Sequence, residues 1–454
     1  MYGQMIKHFK ISSMLSLILL LLSITACQET NQNTIIDQTI PAEGEVISAT
    51  SAIGITFKVP METASVEAAF GITPEVDGHF SWERNTLWFN PAQALSPERS
   101  YHVQIIGDLA TLEGNTIPVD LHWDVTIRET GIIFYRLTGT WGEIWRATSD
   151  GENQRPLTES GGKVIDFVPD FRGDTIAYSL INDAEGSDLW LMNREGNQQR
   201  LLVNCEQDGC REPSWSRYQA QIAYTRERFN PETGGFIGSQ IWIVDTITGQ
   251  TNQLFRDGGD ASGHSPSFSP DGNRLAYYDL DQSGIRVVEL QTSREIFFPS
   301  EVPGSGDWSS DSSKIIFLNT MPADHEPFVE IFIADLSTQE SSPAFENPVL
   351  DTEFSQPRWS PDGSWVAVAL RPVNSGISKA LWALELGTES QELISDEPSA
   401  TFTAYQWDPT GERLIFQRLA LGVSPSQISI WIWDWETGRS QEIIEDGGRP
   451  LWLP

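Results

Sequence analysis

Residues 267–279 read SFSPDGNRLAYYD. An aromatic residue, Phe268, is followed by the triplet Pro270-Asp271-Gly272 and then by an apolar run from Leu275. Proline fixes φ, aspartate bonds its own backbone, and glycine reaches positive φ, so the triplet joins two short strands tightly. The skeleton returns as RWSPDGSWVAVAL at 358–370 and, less literally, around Phe167, Trp215, Trp308, Trp407 and Trp452.

These markers lie 40 to 53 residues apart. Most are followed by a second strand (DTIAYS, QIAYT, RLAYYD, KIIFL, WVAVAL, RLIFQ) and a third (DLWLMN, QIWIVD, IRVVEL, EIFIAD, ALWALE, SIWIWD). A weaker fourth follows, as in QRLLV and QEII. Four short strands in a unit of about 40–45 residues are the signature of propeller blades. The wording of SFSPDGNRLAYYD and RWSPDGSWVAVAL resembles the TolB-type β-propeller repeat, and the resemblance runs from about 131 to 454. The extra domain of TolB has no counterpart here, so a partnership with the Tol system does not carry over.

Six units are complete. Ahead of them, GIIFYR, EIWRAT and RPLT supply strands two, three and four with no first strand, while RPLWLP at 449–454 supplies a first strand alone. The expectation is an all-β chain with a seven-bladed propeller, in which residues 450–454 pair with the strand near Ile132–Tyr135. That closure removes the open edges of a linear row of sheets. A six-bladed ring with an unpaired tail is the alternative.

Residues 36–128 read as short alternating strands without a helical period, which suggests an antiparallel sandwich. PAEGEV, ITFKVPME, NTLWFNPAQALSPERSYHVQI and LEGNTI, in that order, resemble the bacterial Ig-like domain. The resemblance implies a spacer or adhesion unit without catalysis. Trp82, Trp88 and Trp123 fit strand packing in such a unit.

Residues 1–26 hold Lys7 and Lys10, no acid, and an apolar core from Met14 to Leu22 that is too short to span a bilayer. This reads as an export signal. Ile24-Thr25-Ala26-Cys27 resembles a bacterial lipobox, which implies cleavage before Cys27, lipidation of that residue and a short linker at 27–35. An ordinary secretory signal with a chance cysteine, or an uncleaved anchor, remains open. With 29 basic and 63 acidic residues the net charge is −34. Such a surface repels phosphate backbones, which argues against nucleic acid, and leaves the lipid as the only link to a membrane. Cys205 and Cys210 in NCEQDGCRE then suit a local disulfide in an oxidising compartment better than a metal site, since no histidine or third cysteine lies near.

In a meander, the Pro-Asp-Gly turns and the strand-three-to-four turns share one face. The longer strand-two-to-three loops and the blade-to-blade links share the other. Irregular loops on a rigid scaffold are where binding usually resides. Trp141, Arg226, Arg228, Phe229, Phe236, His325, Phe328, Arg371 and Arg418 are therefore candidate contacts, each equally open to a loop-packing role. No catalytic residue, metal set or cofactor is indicated. His264 and His325, the two propeller histidines, sit on separate blades, and no G-x-S-x-G elbow occurs. Asp279-x-Asp281-x-Ser283-Gly284 begins like a calcium loop but has Leu290 at position 12, so a hairpin turn is the simpler account. The reading is a lipid-anchored, extracytoplasmic binding platform for a protein, peptide or cell-wall glycan. A propeller enzyme acting on glycans, as lyase or hydrolase, is the alternative, and a purely structural envelope protein is a third.

Overall fold

The computed structural model describes residues 35–454, except 98, 139–140, 257–258, 322–327, 346–351, 373–375, 377, 389 and 424–426. Two four-stranded sheets form the N-terminal unit. One orders Ile36–Ile40, Ile53–Phe57, Thr86–Pro91 and Gly78–Glu83; the other orders Val46–Ile47, Thr116–Ile127, Tyr101–Ala110 and Phe70–Thr73. Alternation on these strands puts Ile53, Ile55, Phe57, Val103, Ile105, Trp123 and Val125 into one core between the sheets. One helix departs from the sequence expectation: Thr63–Ala69. It spans seven residues, too few for a 3.6-residue period to register, and buries Val66 alone. Glu62 caps it, accepting from Ala64 N at 3.2 Å and Ser65 N at 2.7 Å.

From Gly131 the chain winds seven blades, each an antiparallel meander. Blade I comprises Gly448–Leu453, Gly131–Thr138, Trp141–Thr148 and Arg155–Pro156. Blades II, III and IV begin at Val164, Gly209 and Gly263, and blades V and VII at Asp307 and Ala400. In blade VI the inner strand is split into Thr352–Phe354 and Arg358–Trp359, both paired with Trp365–Pro372. The expected closure is present: Gly448, Leu451, Trp452 and Leu453 pair with Tyr135, Ile133, Ile132 and Gly131. The ring therefore has seven blades and not six.

The marker aromatics explain themselves as interblade staples. Trp215 Nε1 donates to Val168 O of the preceding blade at 3.3 Å, Trp308 to Ser267 O at 3.2 Å and Trp359 to Asp307 O at 3.1 Å. Trp407 donates likewise to Arg358 O at 3.3 Å and Trp452 to Gln406 O at 3.1 Å. Each indole is buried, so burial and a satisfied N–H act together. Blades II and IV carry Phe167 and Phe268 there and make the packing without the hydrogen bond.

The tight turns also repeat at atomic level. Ser269, Ser309 and Ser360 Oγ accept from the backbone N–H of Arg274, Lys314 and Trp365 at 3.0, 2.9 and 2.9 Å. The same hydroxyls donate to Asp271, Asp311 and Asp362. Blade V shows why the motif was less literal there: Ser312, not glycine, holds the left-handed position at φ 62°.

The Ig-like unit meets the tight-turn face. Arg128, just after its last strand, donates to Pro454 O at 3.0 Å, to Asp174 at 2.7 Å and to Arg172 O. Thr50 donates to Phe171 O. Residues 171–174 form the first turn of blade II, so these contacts fall opposite the strand-two-to-three loops.

Candidate functional site

The candidate face is made by the strand-two-to-three hairpins and the links between blades. In blade III the hairpin continues to Phe229 and Phe236, which pair across it edge-to-face with centroids 6.0 Å apart. Its base is held by Asp208, which accepts from Arg226 Nε at 2.8 Å and Phe229 N at 2.9 Å. Asp208 sits in the loop closed by the Cys205–Cys210 disulfide, whose Cα atoms are 6.3 Å apart. That loop also receives blade II: Asn182 Nδ2 donates to Glu206 O at 2.7 Å, Cys205 N donates to Asp188 at 2.8 Å, and Cys210 N donates to Ser187 Oγ at 3.0 Å. The small staple thus joins two blades and orients an aromatic hairpin.

Three candidate arginines repeat one device. Each lies near the end of a second strand and faces a carboxylate at the entrance to its own blade, from the entering link for Arg226 and Arg418 and from the first half of the split inner strand for Arg371. Arg226 pairs with Asp208, Arg371 Nε with Glu353 at 2.9 Å and Arg418 Nε with Glu397 at 2.7 Å. The guanidinium of Arg418 holds the Glu397 carboxyl below its usual range, and Glu397 in turn raises Arg418. Arg226 also lies 5.2 Å from the centroid of the Trp242 ring. These cations pin the entrances to their blades. Trp141 and Arg228 are exposed, Trp141 on the blade I hairpin and Arg228 on that of blade III. Phe328 opens the third strand of blade V; its side chain and all of His325 lie outside the described residues, as does Cys27.

A feature the sequence reading missed surrounds the propeller axis. Three residues before the marker aromatic, the inner strands of blades III, IV, VII and I bulge through Glu212, Ser265, Ala404 and Arg449, at φ 53°, 54°, 48° and 48°. A left-handed non-glycine residue costs about 1–2 kcal/mol. At three of the four, the preceding blade accepts the freed N–H: Glu212 N donates to Asp166 at 3.2 Å, Ser265 N to Glu212 at 2.7 Å, and Arg449 N to Gln417 at 2.8 Å. Arg449 also pairs with Asp166. The belt runs through Gln417, Arg449, Asp166, Glu212 and Ser265, and His264 Nδ1 reaches Ser265 Oγ at 2.9 Å. The available signal was a polar residue three positions before five of the seven marker aromatics.

Asp307 makes a separate inner-strand link between blades V and VI, accepting from Trp359 N at 2.9 Å and Arg358 Nη1 at 3.3 Å. Burial raises its carboxyl, while Arg358 pulls it back. The Asp279 stretch is a hairpin turn: one Asp279 oxygen accepts from the N–H groups of Asp281 and Gln282, and the other faces Arg286 at 2.7 Å. Among the described residues, no group of three or more His, Cys, Asp and Glu side chains is placed to hold a metal ion. No helix among them is long and apolar enough to cross a membrane.

Together these features define a two-part, nearly all-β chain with an Ig-like sandwich and a closed seven-bladed propeller. Residues 30–126 match the model of a family described as bacterial Ig-like domain. Solved structures similar to the chain include TolB from Acinetobacter baumannii, 12% identical over 87% of this chain and 86% of that one, with a TM-score of 0.44. An oligogalacturonate lyase in complex with manganese is 17% identical over 62% of this chain and 73% of its own, with a TM-score of 0.42. The acylaminoacyl peptidase of Pyrococcus horikoshii is 13% identical over 76% of this chain and 50% of its own, with a TM-score of 0.47. No curated protein matches the chain in sequence.

Proposed function

We propose that this is an extracytoplasmic protein anchored through a lipid on Cys27, with residues 1–26 as the export signal and 27–35 as a linker. The Ig-like unit at 36–128 is its stalk, and the propeller at 131–454 is a non-catalytic platform for a protein, peptide or cell-wall glycan. One observation carries the platform reading. The Ig-like unit meets the propeller through Arg128 and Thr50 at the tight turn of blade II, and the exposed hairpins face the other way. A spacer that engages one end of a rigid ring leaves the irregular end for recognition.

Two measurements test the proposal. Cys27→Ser should move the protein from the membrane fraction to the soluble one; retention at the membrane refutes the anchor. Capture from envelope extracts should yield a ligand that Trp141→Ser and Phe236→Ser lose and Tyr218→Ser, on the tight-turn face, retains. The reverse pattern refutes the platform. Stoichiometric transition metal in the purified protein would favour a glycan lyase or hydrolase instead.

A further inference from the structure

Among the described residues of the propeller, six exposed large apolar side chains lie on the loop face, against Phe171, Tyr218 and Ile247 on the tight-turn face and Leu201 and Leu393 on outer strands. Leu137 and Trp141 of the blade I hairpin are 58% and 38% exposed, and Phe236 and Ile237 of blade III are 41% and 49% exposed. Leu280 and Val423, in the corresponding connections of blades IV and VII, are exposed as well. Side chains of this size on loop tips contribute little to the core, and several gathered at one end of a scaffold mark a recognition surface.

Charge on that end has a consistent sign. Arg226, Arg371 and Arg418 are committed to Asp208, Glu353 and Glu397, and two further cations are similarly engaged: Arg211 with Glu227 at 3.2 Å and Lys163 with Asp183 at 3.6 Å. Around them Glu159, Glu185, Glu206, Glu232, Asp396 and Asp446 are exposed on links and hairpins. Among the described residues, Arg228 is an exposed cation on the blade III hairpin, Arg449 pairs with Asp166, and Arg136 and Lys379 donate to the neutral oxygens of Gln154 and Phe354. Neutralising the cations internally leaves a face with apolar tips set in negative potential, on a chain whose net charge is −34.

From this complementarity we infer that the occupant of the loop face is a cationic polypeptide segment bearing apolar side chains, and not an acidic glycan. This rests on the platform reading above and deepens it. Lysine or arginine heads meet the exposed carboxylates, and apolar residues between them cover Trp141, Phe236 and Ile237. The blade III hairpin is preorganised for this, because Asp208 fixes its base to the disulfide-closed loop; little ordering cost falls on binding. Charge steers the encounter and is weakened by salt, while the apolar contacts set residence time.

The test titrates the full chain with synthetic probes. These are a peptide alternating lysine with leucine and phenylalanine, its glutamate counterpart, a lysine–glycine peptide and an acidic oligogalacturonide. The lysine–apolar peptide should bind and the glutamate peptide and oligogalacturonide should not. Phe236→Ser combined with Ile237→Ser should weaken it by roughly tenfold, with an unchanged melting curve, whereas Tyr218→Ser should have no effect. Equal binding of the lysine–glycine peptide, or indifference to the blade III substitutions, overturns the inference. If the oligogalacturonide binds instead and loop-face substitutions weaken it, the cationic partner falls and the platform stands. If no probe responds to loop-face substitutions, both fall.

Discussion

Replacing Trp452 by alanine tests whether the ring depends on a non-covalent seal. Trp452 is 2% exposed, donates to Gln406 O at 3.1 Å and lies beneath Arg413, whose guanidinium carbon is 5.0 Å from the ring centroid. Truncating a buried tryptophan costs about 3–5 kcal/mol. Leaving the Gln406 carbonyl without its donor adds about 1 kcal/mol. At roughly 2 °C per kcal/mol, the lower figure suited to a large domain, the melting temperature should fall by about 10 °C. Trp452→Phe keeps most of the burial and loses the N–H, so it should cost about 1 kcal/mol. Trp359 is the control: it is buried, makes the same bond to Asp307 O of the preceding blade at 3.1 Å, and belongs to a blade whose strands are consecutive in the chain. Both alanine variants should lower stability, but only Trp452→Ala should speed hydrogen exchange at 131–135, the residues paired with the closing strand. Scanning fluorimetry reads the first effect and exchange mass spectrometry the second. A melting shift within about 2 °C together with unchanged exchange at 131–135 refutes the seal.

Gly173 has φ +65°, and a Cβ there would come within 2.4 Å of Pro454 O. Gly173→Ala should therefore destabilise by at least about 1 kcal/mol in equilibrium denaturation, and no loss would show that Pro454 is not seated against blade II. Replacing Cys205 and Cys210 together by serine should cost about 2 kcal/mol, the loop-entropy value for so short a ring, and the reduced wild-type protein should match the variant; insensitivity to reductant refutes a stabilising disulfide. Burial would raise the Asp271, Asp311 and Asp362 carboxyls, but their serine hydroxyl and backbone N–H donors outweigh it and hold all three below the usual 3.8. A depressed folded value means that the unfolded chain binds more protons, so their contribution is full above the unfolded value and disappears as pH falls through the folded one. Asp362→Asn should flatten the acid limb of melting temperature against pH, and an identical limb would count against the turn's role. A double-mutant cycle between Glu397→Gln and Arg418→Gln should give a coupling of about 0.5–1 kcal/mol, the range for a part-exposed pair; zero coupling would deny that this pair pins its link.

Much of this architecture was readable because repeats make weak local signals add. One aromatic followed by Ser-Pro-Asp-Gly is a turn, but seven marker aromatics at blade spacing, two of them followed by that quartet, specify a ring, and the unmatched strands at 131 and 448 specify its closure. The helix at Thr63–Ala69 was not readable, being too short for periodicity and capped by an unexpected Glu62. The candidate arginines were legible as loop residues but their engagement was not. Arg418 and Glu397 are 21 positions apart, and nothing local to either shows that they meet. The bulge belt escaped for the same reason, since its bonds join successive blades more than 30 residues apart.

Composition, period and turn chemistry settle what each unit of this chain is, because strand, turn and blade are built from near neighbours. Which charges cancel, which aromatics stay exposed and where Arg128 meets Pro454 are settled only when the ring closes. Those contacts join residues up to 326 positions apart, and their energies depend on a geometry that no single segment possesses.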